Sequence, residues 1–491
     1  VAAGPSLRAD RAPRHVQCRS FELSRLIVIS NRVSMPTQAG AATAGGLAMA
    51  LAAALREYKG VWFGWSGRIT PEFTGELATE VTEGVTVATV DLEEQDVQEY
   101  YNGFANETLW PLFHYRIDLS AFERAYGQGY ERVNARFAET ARPLIDDGDL
   151  VWVHDYHLIP MGRELRRLGV TNPIGFFLHI PWPAQQLFTA LPRHRQLVEA
   201  MFQYDLVGFQ TQDWLDAFLD YVRTEADGEV LSDGRVRAFG RVIQARAFPI
   251  GIDAENFRHV ADSMTAAQSW DRMVATTYGR AVIVGVDRLD YAKGLEERML
   301  AYEQFLTDNP ERAGSVEYLQ IAPPSREDVD AYQDIRARLD AHSGRINGAF
   351  STINWTPIRY VIRSYGRDEL AGIYRAAKVG LVTPLRDGMN LVAKEYVAAQ
   401  SPRDPGVLIL SRFAGAAAQM QQALIVNPYS REDVSDAIRR ALSMELPERK
   451  QRWESLMEGV QRNDVTAWRD DFVTALGEVR REPPMRALGG R

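Results

Sequence analysis

The chain has 491 residues, room for about three average domains or two large lobes. Its composition, 46% hydrophobic and 25% charged with a formal net charge of -9, is that of a globular protein and argues against nucleic acid as a main partner, so any basic site must be local. The single cysteine, Cys18, excludes an intramolecular disulfide and a cysteine-based zinc site, which fits a reducing cytoplasm, and no run of about eighteen apolar residues marks a membrane span.

Residues 1–22 carry Arg8, Arg11, Arg14 and Arg19 among Ala, Pro and Gly, with no apolar stretch of signal-peptide type, and a mobile extension is expected there. From Arg25 onward, Leu26–Ile29, Val151–Val153, Ile174–Leu178 and Leu206–Phe209 have the apolar, β-branched character of buried parallel strands, spaced by helix-length segments. Phe248-Pro249-Ile250-Gly251-Ile252-Asp253 has the punctuation of a hinge. A second series follows in Ala281–Val286, Val316–Ile321, Val379–Thr383 and Val407–Leu410. The expectation is an α/β fold of two doubly wound Rossmann-like lobes, 23–252 and 253–491, with a last helix at about 465–480 that could return to the first lobe. Ligands of such sheets sit at the carboxyl ends of the strands, here in the cleft between lobes.

Several motifs fall at those strand ends. The first strand runs into Ser30-Asn31-Arg32, and Gly45-Gly46 precede a helical pattern. No Gly-x-Gly-x-x-Gly fingerprint and no Walker loop accompany them, which counts against a dehydrogenase and an NTPase. Trp62-Phe63-Gly64-Trp65, Tyr100-Tyr101 and Trp110 suit core packing or the face of a sugar ring, and the Tyr101 hydroxyl could bond a phosphate. His154-Asp155-Tyr156-His157 and His179 close two strands, at spacings unlike those of a metal site. Arg288 and Lys293 sit between a strand and a helix, placed to grip a diphosphate or else to pair with Asp287 or Asp290. In Val379–Gln400, a strand, the turn Arg386-Asp387-Gly388-Met389-Asn390 and a helix over Asn390–Ala399 form an anion site of backbone N–H groups and helix dipole.

Together these segments resemble the trehalose-6-phosphate synthases, retaining glycosyltransferases of the GT-B fold, from about Arg25 to Leu476. The resemblance rests on Ser30-Asn31-Arg32, AGGL at 44–47, WFGWSG at 62–67, EYYNGFANETLWPLFHY at 99–115, VHDYHL at 153–158, GFFLHIPWP at 175–183, DRLDYAKG at 287–294, PPSRED at 323–328 and TPLRDGMNLVAKEYVAAQ at 383–400. It implies that Arg32 and Arg326 hold the phosphate of glucose 6-phosphate in an acceptor site lined by Trp65, Tyr101, Trp110, Asp155 and Tyr156. It implies Gly46 at the donor side, Arg288 and Lys293 on the nucleotide diphosphate, Asp387 with Gly388, Met389, Asn390 and Leu391 on the donor sugar, and Glu395 on the ribose. Asp155 and His179 flank the two sugars and join Arg288, Lys293 and Asp387 as the implied catalytic set. The chain departs from the family pattern at Pro324, where a threonine-containing form is more frequent, and in its first 22 residues.

The activity so implied is transfer of glucose from UDP-glucose to glucose 6-phosphate with retention, giving α,α-trehalose 6-phosphate and UDP in the cytoplasm, with no cofactor, metal, nucleic acid or membrane. Family analogy allows a homodimer or homotetramer. Two routes to retention fit the residues, front-face attack or a covalent intermediate on Asp155. Nucleotide preference stays open, because backbone groups can recognise uracil without a side-chain signature. Two alternatives are a related coupling enzyme using a cyclitol or another nucleotide sugar, and a silent sugar-phosphate sensor. The second is disfavoured by the presence of Arg32, Arg288, Lys293, Arg326 and Asp387.

Overall fold

The apolar runs become the strands of two sheets in the computed structural model, which describes residues 25–33, 55, 57–82, 84–326 and 329–479. The extension expected over residues 1–22, Cys18 and Gly46 lie outside the described residues.

The first sheet is built on β1 (Leu26–Arg32), flanked in parallel by β2 (Val61–Thr70) and by β5 (Leu150–His154), whose Leu150 lies opposite Leu26. Its far half continues through β6 (Ile174–Phe177), β7 (Leu206–Phe209) and β10 (Arg241–Ala247), all parallel. Short antiparallel strands close both edges. β3 (Ala78–Thr82) pairs with β4 (Val85–Glu93) on one side, and β8 (Glu229–Val230) and β9 (Val236–Ala238) pair beyond β10 on the other, giving the ten-stranded order β3-β4-β2-β1-β5-β6-β7-β10-β9-β8.

The second sheet has the all-parallel order β13-β12-β11-β14-β15-β16, with β11 at Ala281–Val286, β12 at Val316–Ile321, β13 at Ile358–Val361, β14 at Val379–Val382, β15 at Val407–Ser411 and β16 at Leu424–Val426. Thr383 thus falls just past β14. In both sheets the chain order reverses across the first strand, and Ser30-Asn31-Arg32, His154, Arg288 and Asp387 emerge at or just beyond carboxyl ends. The alternation of β2 is interrupted by Gly64, Ser66, Gly67 and its aromatic residues, so it carries a weaker period-2 pattern than the buried runs.

The hinge begins where Phe248 N–H donates to Phe209 O at 2.7 Å. A second segment crosses beside it: Val465 N–H donates to Ile252 O at 3.2 Å, and a Cβ on Gly251 would collide with the Asn463 carbonyl, so only glycine fits this crossing. Helix Val465–Gly477 then lies on the first sheet. Phe472 stacks on Trp152 with centroids 4.4 Å apart, and the absent side chains of Gly175 and Gly208 make the room it occupies. Among the described residues no helix is long and apolar enough to cross a membrane.

Candidate functional site

One wall of the cleft starts at the end of β11. Asp287 is taken by Arg298, a cation 1% exposed that donates to Asp287 Oδ2 at 2.7 Å, Thr383 Oγ1 at 3.0 Å, Gln320 Oε1 at 3.0 Å and the Lys293 carbonyl at 3.2 Å. Burial pushes the Asp287 carboxyl up, and Arg298 opposes that. Asp290, fully buried, accepts from Ala292 N–H at 2.9 Å and the Tyr332 hydroxyl at 3.1 Å, with Arg326 at 3.5 Å. Burial raises its carboxyl, but Arg326, Lys293 and Arg288 together bring it below the ordinary range. Neither aspartate is therefore the partner of Arg288, which is exposed and has no ion pair among the described residues. The ion-pair alternative for this arginine is not what the fold adopts.

Lys293 ends a short turn, and Gly294, at φ +65°, opens helix Leu295–Asp308. Lys293 Nζ reaches Asp387 Oδ2 at 2.5 Å across 94 residues of sequence, so the two motifs form one surface. Asn390 is not the first helical residue. It caps helix Leu391–Ala399 from a left-handed conformation at φ +74°, its Oδ1 accepting from Ala393 N–H at 3.4 Å while its Nδ2 donates to Asp387 Oδ2 at 3.1 Å. Asp387 N–H is tied to Phe413 O and its carbonyl to Gly415 N–H, each at 3.1 Å. The N–H groups of Gly388, Met389, Asn390 and Leu391 have no acceptor among the described residues. One turn into the helix, burial raises the Glu395 carboxyl to about 7 against the attraction of Arg367. Gly388 is also where the lobes touch: a Cβ there would collide with the His179 carbonyl, and its own carbonyl takes the Trp214 indole N–H at 3.4 Å.

The facing wall is aromatic. Arg326, at φ +51°, lies 3.9 Å over Trp110 and donates to the Tyr332 hydroxyl at 2.5 Å and the Tyr156 hydroxyl at 3.0 Å, and Tyr156 in turn donates to Asn106 at 2.9 Å. Tyr156 packs on His157 at 3.9 Å and His157 on Tyr101 at 5.9 Å; Tyr101 meets Trp65 edge-on at 5.6 Å, and the Arg32 guanidinium is 5.5 Å from the Trp65 ring. The two arginines are thus joined by one unbroken run of contacts. Tyr100 and Tyr101 come from Val97–Leu109, a helix wound with i→i+5 bonding. Its width lets the adjacent residues both reach the sheet edge, Tyr100 donating to Asn31 Oδ1 at 2.7 Å.

Between the walls sit Asp155 and His179. Asp155 holds φ +76°, a strained conformation for a non-glycine residue, pinned by its N–H on Phe177 O at 2.8 Å and by Oδ1 accepting from His179 N–H at 3.2 Å. Burial raises its carboxyl to about 6, opposed by the N–H groups of Tyr156 and His179. Burial lowers the His179 imidazole to about 3, leaving it neutral, with Nε2 3.0 Å from His154 Nδ1. Among the described residues no group of three or more His, Cys, Asp or Glu could hold a metal ion.

The model of glycosyltransferase family 20 matches residues 24–478. The chain belongs to glycosyltransferase family 20. Among family 20 relatives, the trehalose-6-phosphate synthase of Sinorhizobium fredii is 47% identical over 456 residues, 92% of this chain and 98% of that protein. Solved structures agree. An α,α-trehalose-phosphate synthase (UDP-forming) from Burkholderia vietnamiensis superposes with a TM-score of 0.90 at 47% identity over 93% of this chain and 97% of its own. The Burkholderia xenovorans enzyme in complex with glucose-6-phosphate gives 0.89 at 48%, over 92% and 100%. The trehalose-6-phosphate protein from E. coli bound with UDP-2-fluoro glucose gives 0.88 at 46%, over 93% and 100%. The family 20 chain therefore has the GT-B architecture of two Rossmann-like lobes.

Three groups that organise this site are not legible as such in the sequence: Asp290, Tyr332 and Arg298. Asp290 stands in the DRLDYAKG motif, where sequence offers it only as an ion-pair partner of Arg288 or Lys293. Tyr332 and Arg298 lie within helices with no local mark of their role.

Proposed function

We propose that this family 20 chain transfers glucose from UDP-glucose to glucose 6-phosphate with retention, producing α,α-trehalose 6-phosphate and UDP. The observation that carries the reading is one cleft with two chemistries. One wall offers a lysine–aspartate pair and, without partners among the described residues, an arginine and four amides; the other offers Arg326 set in tryptophan and tyrosine. Relatives bound with glucose-6-phosphate and with UDP-2-fluoro glucose support the same pair of substrates.

In this reading Arg288 and Lys293 take the diphosphate, where negative charge grows as the sugar–phosphate bond breaks, and preorganised cations and amides stabilise that charge without reorganising. Asp387 with the amides of Gly388, Met389, Asn390 and Leu391 holds the donor sugar, Glu395 accepts from the ribose hydroxyls, and Gly46 completes the donor side. Arg32 and Arg326 clamp the acceptor phosphate, with Trp65, Tyr101, Trp110 and Tyr156 around the ring. The acceptor hydroxyl attacks on the face the diphosphate leaves. The C1–oxygen bond to phosphate breaks, the new glycosidic bond forms, and the hydroxyl proton passes to the departing phosphate oxygen. Asp155, raised toward neutrality and already bonded to His179 N–H, suits a hydrogen-bonding role beside the two sugars better than that of nucleophile. The charge is met by protein cations, so the chemistry runs without a metal, in a cytoplasmic setting.

The test is UDP release from UDP-glucose with and without glucose 6-phosphate, with the disaccharide phosphate identified. UDP formation that depends on glucose 6-phosphate is the expected result. Release indifferent to it, or none, would overturn the reading.

A further inference from the structure

The hinge peptide of Ile250 is gripped from both lobes. Its N–H donates to Gln210 Oε1 at 3.0 Å, just past β7, and its carbonyl accepts from Lys394 Nζ at 2.7 Å, on the second turn of the helix whose N-terminus carries the free amides. Gln210 and Lys394 are each 1% exposed. Lys394 Nζ also donates to Gln419 Oε1 at 2.7 Å, and Gln210 Nε2 lies 3.4 Å from His179 Nδ1. A backbone N–H can only donate, so Gln210 must turn its oxygen to Ile250 and its NH₂ to His179. His179 Nδ1 then accepts, the ring proton sits on Nε2, and Nε2–H donates to His154 Nδ1 at 3.0 Å, a tautomer assigned from this network. The chain of bonds therefore has one direction, from the hinge through His179, which sits between the walls, to buried His154.

We infer that Gln210 and Lys394 are positioning residues for glucosyl transfer, using the Ile250 peptide as a joint that sets the His179 tautomer in one lobe and the register of helix Leu391–Ala399 in the other. The inference rests on the function proposed above. Neither side chain touches substrate; each acts through a residue that does. An interior hydrogen bond to an ionic or peptide group, once severed, leaves its buried partner unsatisfied, which is enough to tilt the joint. Lys394 is the more consequential of the two, because burial lowers its ammonium to about 7 and so leaves it dependent on the two carbonyl oxygens it touches.

The experiment uses the full chain and four variants: Gln210→Leu, Lys394→Met, the double variant and Gln210→Glu. Wild-type turnover in the same assay tests the proposed function separately. Each single variant is expected to lose about tenfold in kcat; the Kd for UDP alone should stay within about twofold in Gln210→Leu, which acts through His179, and rise severalfold in Lys394→Met, which frees the helix that carries Glu395. The double variant should be no slower than about twofold beyond the slower single, since both act through one peptide. Gln210→Glu keeps the acceptor for Ile250 but offers His179 only an oxygen, so ¹⁵N shifts of the labelled histidines should report a proton moved to Nδ1. Active wild type with multiplicative losses in the double variant would overturn the inference. So would kcat within twofold in folded single variants, or an unchanged His179 tautomer in Gln210→Glu.

Discussion

On the wall built by the second sheet, the groups assigned to the donor are fixed by the lobe's own chain: Asn390 both caps its helix and holds Asp387, Asp387 holds Lys293, and Arg298 ties the Lys293 carbonyl to three strand ends. On the opposite wall the assigned phosphate ligands come from different lobes, Arg32 exposed at the end of β1 and Arg326 buried after β12. Gly46 apart, the groups of one wall lie within a lobe; the other wall exists only when two lobes meet. UDP should accordingly bind mainly through the second lobe, and acceptor recognition should be sensitive to how the lobes close.

The largest effect expected from this contrast concerns the acceptor. Two charge-assisted contacts of about 1.5 to 3 kcal/mol each should favour glucose 6-phosphate over glucose by roughly a hundredfold to ten-thousandfold in kcat/KM. Arg326→Ala should erode that ratio more than Arg32→Ala, because Arg326 is stacked on Trp110 and bonded to two tyrosines, while UDP affinity changes less in both. Equal use of the two sugars by the wild type would remove the phosphate clamp.

Next, Arg288→Ala and Lys293→Ala should each lower kcat roughly a hundredfold or more, the loss of one donor on developing charge. The Lys293 variant also leaves Asp387 without its ion pair, and its melting temperature should fall further than that of the Arg288 variant. Gly388→Ala separates the walls more selectively. The new Cβ meets the His179 carbonyl, so turnover should fall roughly tenfold to a hundredfold through misplaced lobes, while calorimetry finds UDP binding nearly intact. Parallel losses in both quantities would mean the clash disturbs the donor wall itself.

A smaller effect follows from Glu395. Its carboxyl, raised to about 7, must be ionised to accept from the ribose, so UDP should bind about tenfold more weakly at pH 6 than at pH 8, and Glu395→Gln should flatten that slope. Stability runs the other way. A carboxyl whose folded pKa lies above its unfolded one favours the folded state increasingly as pH falls through 7, so acid unfolding at this site does not explain the weaker binding. A chelator should change turnover least, by less than about twofold, if the cations alone carry the diphosphate.

The two walls also differed in how far they could be read in the sequence. The donor wall announced itself because strand, glycine turn and helix are contiguous in Val379–Gln400; the structure differs by one residue at the strand end, where Thr383 falls past β14, and by one at the helix start, where Asn390 adopts a left-handed cap instead of joining the helix. The acceptor wall draws on Trp65, Tyr101, Trp110, Tyr156 and Arg326, scattered over four segments, and only the family resemblance gathered them. Periodicity found the buried central strands because they are apolar on both faces. It missed β2 to β4, whose exposed face carries Ser, Arg and Thr, and it had no access to the role of Arg298, since a buried arginine in the first turn of a helix looks from sequence like any solvated one.

Helix Val465–Gly477 carries a consequence for synthesis. Trp152, Phe177 and Phe248, which line the face of the first sheet, receive Phe472 only after the entire second sheet has been translated. The lobe made first leaves the ribosome with an aromatic scar on its surface, and the residues that heal it are made only after the second sheet. Its native state therefore waits on the second lobe, and a nascent chain stalled after β10 should engage holdase chaperones that one carrying residue 477 beyond the exit tunnel does not.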